Sequence, residues 1–228
     1  MDQAALQRRL ATLGYYAGAI DGIIGPKTKG AIIACLSGGP DYPVTTADIE
    51  QGATMLAVEP AKIWAVYEVE SSGDAFVDGR PTILFEPHRF SRSTGHRFDK
   101  SHPHLSSRAW DRTLYPRGQA ARWQQLVDAV ALDVDAGFAS ASYGAFQILG
   151  ENYAACGAPD PWSFAWRQAQ TEGDQLEAFV HFVDGSGLKG ALQRGDWAAF
   201  ARGYNGTAYR TNRYDERLAA AYARRRAA

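Results

Sequence analysis

Between positions 37 and 44 the chain reads SGGPDYPV, two glycines and two prolines in eight residues with no hydrophobic period, and neither helix nor strand can run through it. The break divides the 228 residues into a small unit, 1–38, a linker, 39–44, and a larger module, 45–228. Below about 40 residues a chain rarely buries enough surface to stand alone, so the small unit is expected to lean on the larger one.

Within the small unit, Leu6, Leu10 and Leu13 share one helical face, Gly14 stops that helix, and Pro26 opens a second one through Ile32, Ile33 and Leu36. In the larger module Thr45 and Asp48 have capping-box spacing, and a second helix starts near Pro60 and carries AKIWAVYEVESSG. Residues 80–86, RPTILFE, are the best strand candidate and stand nearly alone. Residues 87–118 read as irregular structure with short helices. Trp123, Leu126, Val127, Val130 and Val134 mark one later helix, and Leu176, Phe179, Val180 and Val183 another; DWAAFARGYNG and YDERLAAAYARRR are helical too. The predicted fold is mainly α, with a small helical unit ahead of an α-rich module that holds a small β element.

Lys and Arg number 24 against 25 Asp and Glu, a formal net charge of -1, which supplies no global field for nucleic acid. No apolar stretch approaches the roughly 20 residues that cross a bilayer. MDQAALQRRL is too polar for a signal sequence, so synthesis in the cytoplasm is expected. Cys35 and Cys156 lie far apart and read as small buried hydrophobes.

On the helix that begins near Pro60, Glu70 falls on the stripe of Ile63, Val66 and Tyr67, whereas Glu68 turns toward solvent. Burial disfavours a carboxylate and raises its pKa into the range of a general acid at neutral pH. Glycosidic cleavage needs such an acid, because the departing oxygen leaves poorly until it is protonated. The strings SYGAFQILG, 142–150, and ARGYNG, 201–206, add amides at Gln147 and Asn205 that suit sugar hydroxyls, and rings at Tyr143 and Tyr204.

In this order VESSG (69–73), GRPTILFEPHRF (79–90), SYGAFQILG and FARGYNGTAY (200–209) resemble the N-acetylmuramidase domain of modular phage endolysins, within the lysozyme-like superfamily that includes goose-type lysozymes and lytic transglycosylases. The resemblance implies a lysozyme-like catalytic domain that hydrolyses the β-1,4 bond between N-acetylmuramic acid and N-acetylglucosamine for host lysis. Glu70 would be the general acid, with Tyr143, Gln147, Tyr204 and Asn205 in the substrate cleft. Two departures bear on sugar contacts: Tyr143 stands where Trp is commoner, and Glu151 follows Gly150. The small unit resembles a peptidoglycan-binding module of pattern LQxxLxxLGYYxGxIDGxxGPxTxxAI. That likeness makes Tyr15, Tyr16, Asp21 and Thr28 the candidate wall contacts, although Asp21 also suits a local turn bond.

A second acid is open between Glu86, Asp74 and Asp78, with Glu86 in the family string placed first; its other reading is a scaffold partner for Arg80, Arg89 or a histidine. His96, His102, His104 and Asp99 match no zinc spacing and read as solvated loop residues; neither metal nor cofactor is expected. Arg224, Arg225 and Arg226 complement a helix C-terminus. The alternatives are a lytic transglycosylase that leaves 1,6-anhydro ends and a peptidoglycan-binding protein without catalysis. The expected partner is peptidoglycan and not nucleic acid. The chain is expected to be a monomer that stays in the host cytoplasm until a separate hole-forming protein releases it across the inner membrane to the periplasm and wall.

Overall fold

The computed structural model describes residues 1–70 and 74–227. In the small unit α1 (Gln3–Thr12) starts where the Asp2 side chain accepts from Ala5 N, and α2 (Pro26–Cys35) has its proline in the first turn. Leu6 and Leu10 are fully buried, but α1 ends before Leu13, which is left 42% exposed. The expected lean is present. Leu6, Leu10, Ile32 and Leu36 belong to one buried cluster that continues into the larger module. Around it Lys29 pairs with Asp128 at 2.5 Å, Arg9 with Asp160 at 2.9 Å, and the amino terminus with Asp135.

The larger module opens with α3 (Thr46–Leu56), whose Thr45–Asp48 capping box is formed, and α4 (Pro60–Glu70). The expected strand divides. A short hairpin pairs β1 (Phe76–Val77) with β2 (Arg80–Pro81) through Asp78 and Gly79, both at positive φ, and β3 (Ile83–Phe85) joins a different sheet. After α5 (Pro87–Ser93) the long apolar stretch that suggested one helix yields two, α6 (Gln119–Leu132) and α7 (Val134–Ala139). Asp133 is the reason: its side chain accepts from Ala136 N and caps a new start.

Strands β4 (Ala141–Tyr143) and β5 (Ile148–Leu149) complete the second sheet in the order β3-β4-β5, antiparallel throughout, with Ile83 opposite Tyr143 and Ser142 opposite Leu149. The remaining chain is helical: α8 (Pro161–Gln168), α9 (Glu172–Gly185), α10 (Lys189–Arg194), α11 (Trp197–Asn205) and α12 (Tyr214–Ala227).

Helix α12 lies along α4 and fixes it. Glu68 accepts from Arg224 and from Arg225, the latter at 3.0 Å, and the Arg225 guanidinium sits 4.8 Å from the Trp64 ring centre. Glu68 therefore faces a neighbouring helix, not open solvent, and Arg224 and Arg225 bind α12 to α4 in addition to ending a helix.

Candidate active site

Glu70 is the last residue of α4 and points into a cleft of about 390 Å³. Burial raises its carboxyl to about 7, against opposing effects of a hydrogen bond from Asn205 and the charge of Arg217. Its place at a helix C-terminus, where carbonyl dipoles converge, disfavours the charged form as well. Asn205, at the end of α11, donates Nδ2 to Glu70 Oε1 at 3.3 Å, and Arg217 of α12 donates to Val69 O at 3.1 Å. Ser71, Ser72 and Gly73 of the VESSG string lie outside the described residues.

One wall of the cleft is the β4–β5 turn. Gly144 has φ +67, and a Cβ there would come within 2.4 Å of the Gln175 amide, so any other residue would be strained and would displace Gln175. Gln175, fully buried, props the turn by accepting from Ala145 N at 2.7 Å. Gln147 sits in the left-handed region at φ +47, where a side chain other than glycine is strained. Its amide holds that conformation: Oε1 accepts from Ser142, and Nε2 donates to Gly144 O at 2.8 Å and to Thr82 O at 3.2 Å.

Tyr204 of α11 lines the cleft over an aromatic stack. Its ring lies parallel to Phe200 and edge-on to Phe179 and Phe182, and its hydroxyl donates to Phe146 O at 2.8 Å. The hydroxyl is thus engaged within the protein. Tyr214, Asn152 and Phe182 also line the cleft. Nothing in the local sequence marked them, because each comes from an element whose packing is set by distant partners.

Two of the expected site residues are elsewhere. Tyr143 is fully buried and its hydroxyl donates to Phe138 O at 2.9 Å, since the alternation of β4 turns it away from the cleft into the core. Glu86 does not line the cleft; it precedes α5 and accepts from the Tyr115 hydroxyl, a scaffold role. Asp74 does line it. Its backbone carbonyl accepts from Thr82 Oγ1, and Thr82 in turn accepts from Gln147, so one network holds acid and amide. Glu151 is taken up by Arg89 at 2.8 Å.

The arrangement matches known proteins. The model of the N-acetylmuramidase family matches residues 59–226. This chain belongs to the N-acetylmuramidase family. It is therefore a glycoside hydrolase, and residues 2–35 match the model of a peptidoglycan-binding domain. The crystal structure of the Burkholderia AP3 phage endolysin is similar at 34% identity and a TM-score of 0.76, over 98% of this chain and 94% of that one. No curated protein matches.

In the muramidase's binding domain the expected wall contacts are largely consumed internally. Gln7, fully buried, donates to Asp21 at 2.9 Å and accepts from Gly22 N at 2.8 Å. Asp21 also accepts from Ile23 N, and these two bonds hold its carboxyl below the usual range. Thr28 is 1% exposed, and Tyr16 donates its hydroxyl to Ala19 O. Asp21, Thr28 and Tyr16 thus spend polar groups on bonds within the loop; Thr28 is buried, Tyr16 half-buried, and Asp21 and Tyr15 are exposed.

Among the described residues no group of three or more His, Cys, Asp or Glu side chains is placed to hold a metal ion. Asp99 accepts from Ser91, Ser106 and Arg108, which knots its loop. Both cysteines are buried and free, and burial lifts the Cys35 thiol to about 11 and the Cys156 thiol to about 12.

Proposed function

We propose that the enzyme hydrolyses the β-1,4 bond between N-acetylmuramic acid and N-acetylglucosamine, with Glu70 as general acid. The observation that carries this is a carboxyl group at the cleft that keeps its proton to about pH 7 beside a ring and amides. Glu70 passes its proton to the departing glycosidic oxygen as the sugar develops oxocarbenium character. Asp74, the other acid lining the cleft among the described residues, orients a water, accepts its proton, and directs the resulting hydroxyl to the anomeric carbon. Asn205 keeps a second N–H and its carbonyl for a sugar, and Gln147 keeps an acceptor lone pair.

Digestion of purified peptidoglycan followed by mass spectrometry tests this. Reducing N-acetylmuramic acid ends are expected. Products lighter by one water would show that the muramyl 6-hydroxyl attacks in place of water, and reducing N-acetylglucosamine would move the cut to the other bond. Glu70→Gln should lose at least 10³ in kcat with its fold intact, and Asp74→Asn about 10².

The same reading makes the enzyme an agent of host lysis, held in the host cytoplasm and released to the wall by a separate hole-forming protein. Its support is the similarity to a phage endolysin. Expressed alone as a monomer, it should leave cells intact until their membrane is permeabilised; spontaneous lysis would count against the release step.

A further inference from the structure

A second groove, about 470 Å³, runs between α1 of the binding domain and α8 of the catalytic domain. Leu13 and Trp166 face it, 42% and 37% exposed, and Ala5 and Thr12 add apolar surface. Two arginines flank it. Arg9 is held as scaffold by Asp160 and Ser163, whereas the Arg8 guanidinium is exposed and pairs with no side chain among the described residues.

This chemistry differs from that of the catalytic cleft. The cleft offers amides and acids, the groups that pair with sugar hydroxyls, but the groove offers methyl groups, one indole face and an unpaired guanidinium. Such a set suits a short peptide with alanyl methyls and carboxylates better than a bare glycan. Arg8 supplies the charge complement to a carboxylate, which a guanidinium can grip with two parallel bonds. The polar groups of Asp21, Thr28 and Tyr16 are meanwhile bonded within the binding domain's own loop, whereas the Arg8 guanidinium is not.

We propose that the α1–α8 groove is a composite site for the acidic peptide stems of peptidoglycan, built jointly by both domains; this rests on peptidoglycan being the substrate. The binding domain would then act only in its place against α8, and a stem held there would keep the enzyme on the wall between cuts.

The test uses the full chain carrying Glu70→Gln, so that the wall is bound and not cut. Binding to purified sacculi is compared with binding to sacculi whose stems have been removed by an amidase. Arg8→Glu and Trp166→Ala should each weaken binding to stem-bearing sacculi at least tenfold, and the parent should bind stem-free glycan as weakly as those variants do. Arg8 is exposed, so its replacement leaves folding intact, which circular dichroism checks. Unchanged affinity in both variants, or equal affinity for stem-free glycan, would overturn the proposal. If the parent binds no sacculi the groove is also refuted, while product analysis with the active enzyme still decides the substrate separately.

Discussion

Asn205 donates an amide N–H to Oε1 of Glu70 across 3.3 Å, so the end of α11 sets the proton affinity of the acid at the end of α4. Burial pushes that acid to about 7, and Asn205 and Arg217 both pull it down by favouring the carboxylate. Removing either one leaves burial less opposed, so Glu70 should hold its proton to higher pH. In Asn205→Ala and Arg217→Met the alkaline limb of the kcat/KM profile should therefore move up by about half a unit to one unit. Asn205→Ala should also lose activity at its optimum, because the sugar contact proposed for it goes with it. A limb that moves down, or stays fixed in both variants, would mean that another group sets it.

The same burial makes Glu70 a cost to the fold above neutral pH. Its ordinary value is 4.5 and its folded value about 7, so the folded state holds the proton more tightly than the unfolded one. Below pH 4.5 the group is protonated in both states and costs nothing; as pH rises toward 7 and beyond, stability is lost. At pH 8 the loss reaches about 3 kcal/mol at most, from roughly 1.4 kcal/mol per unit. Glu70→Gln should accordingly raise Tm at pH 8 and leave it little changed at pH 4. Thermal unfolding at the two pH values measures the difference, and an equal Tm gap at both would show that the gain is not electrostatic.

Much of the cleft's lining was legible in the sequence, because helix periodicity pointed to Glu70 and the family strings to Gln147, Tyr204 and Asn205, and all four line it. What failed did so for identifiable reasons. Tyr143 belongs to a three-residue strand, too short for alternation to show which face it takes, and burial against Phe164 and Phe138 decided the matter. Glu86 is near the site in the chain but not in space, since the sheet and α5 turn it toward Tyr115. The division of α6 from α7 rests on one cap at Asp133, which a run of apolar residues on either side concealed. Gln175 and Arg217 act on the site from distant elements, and no local pattern announces such contacts.

Gln147 allows backbone strain to be separated from side-chain chemistry. Its φ of +47 is costly for any residue but glycine, and three side-chain hydrogen bonds hold it there. Gln147→Ala keeps the strain and loses the bonds; Gln147→Gly loses the bonds and the strain. The glycine variant should exceed the alanine variant in stability by about 1 kcal/mol, with both reduced alike in activity on peptidoglycan. If glycine instead restores activity, the turn conformation matters to catalysis and the amide does not.

The two domains should melt as one. Ile32 and Leu36 of the binding domain are fully buried and join the buried cluster of the larger module, while Lys29 of α2 pairs with Asp128 of α6. Leu36→Ala, which removes a fully buried side chain and leaves a cavity, should cost about 2–5 kcal/mol. In a chain of this size that lowers Tm by roughly 4–20 °C, and the calorimetric peak should shift as a single transition, with lytic activity lost along it. Two resolved peaks, with only the smaller displaced, would show that the cluster does not couple the domains. Deleting residues 1–38 should then leave a catalytic domain with an exposed apolar face on α6, detectable as aggregation that the full chain does not show.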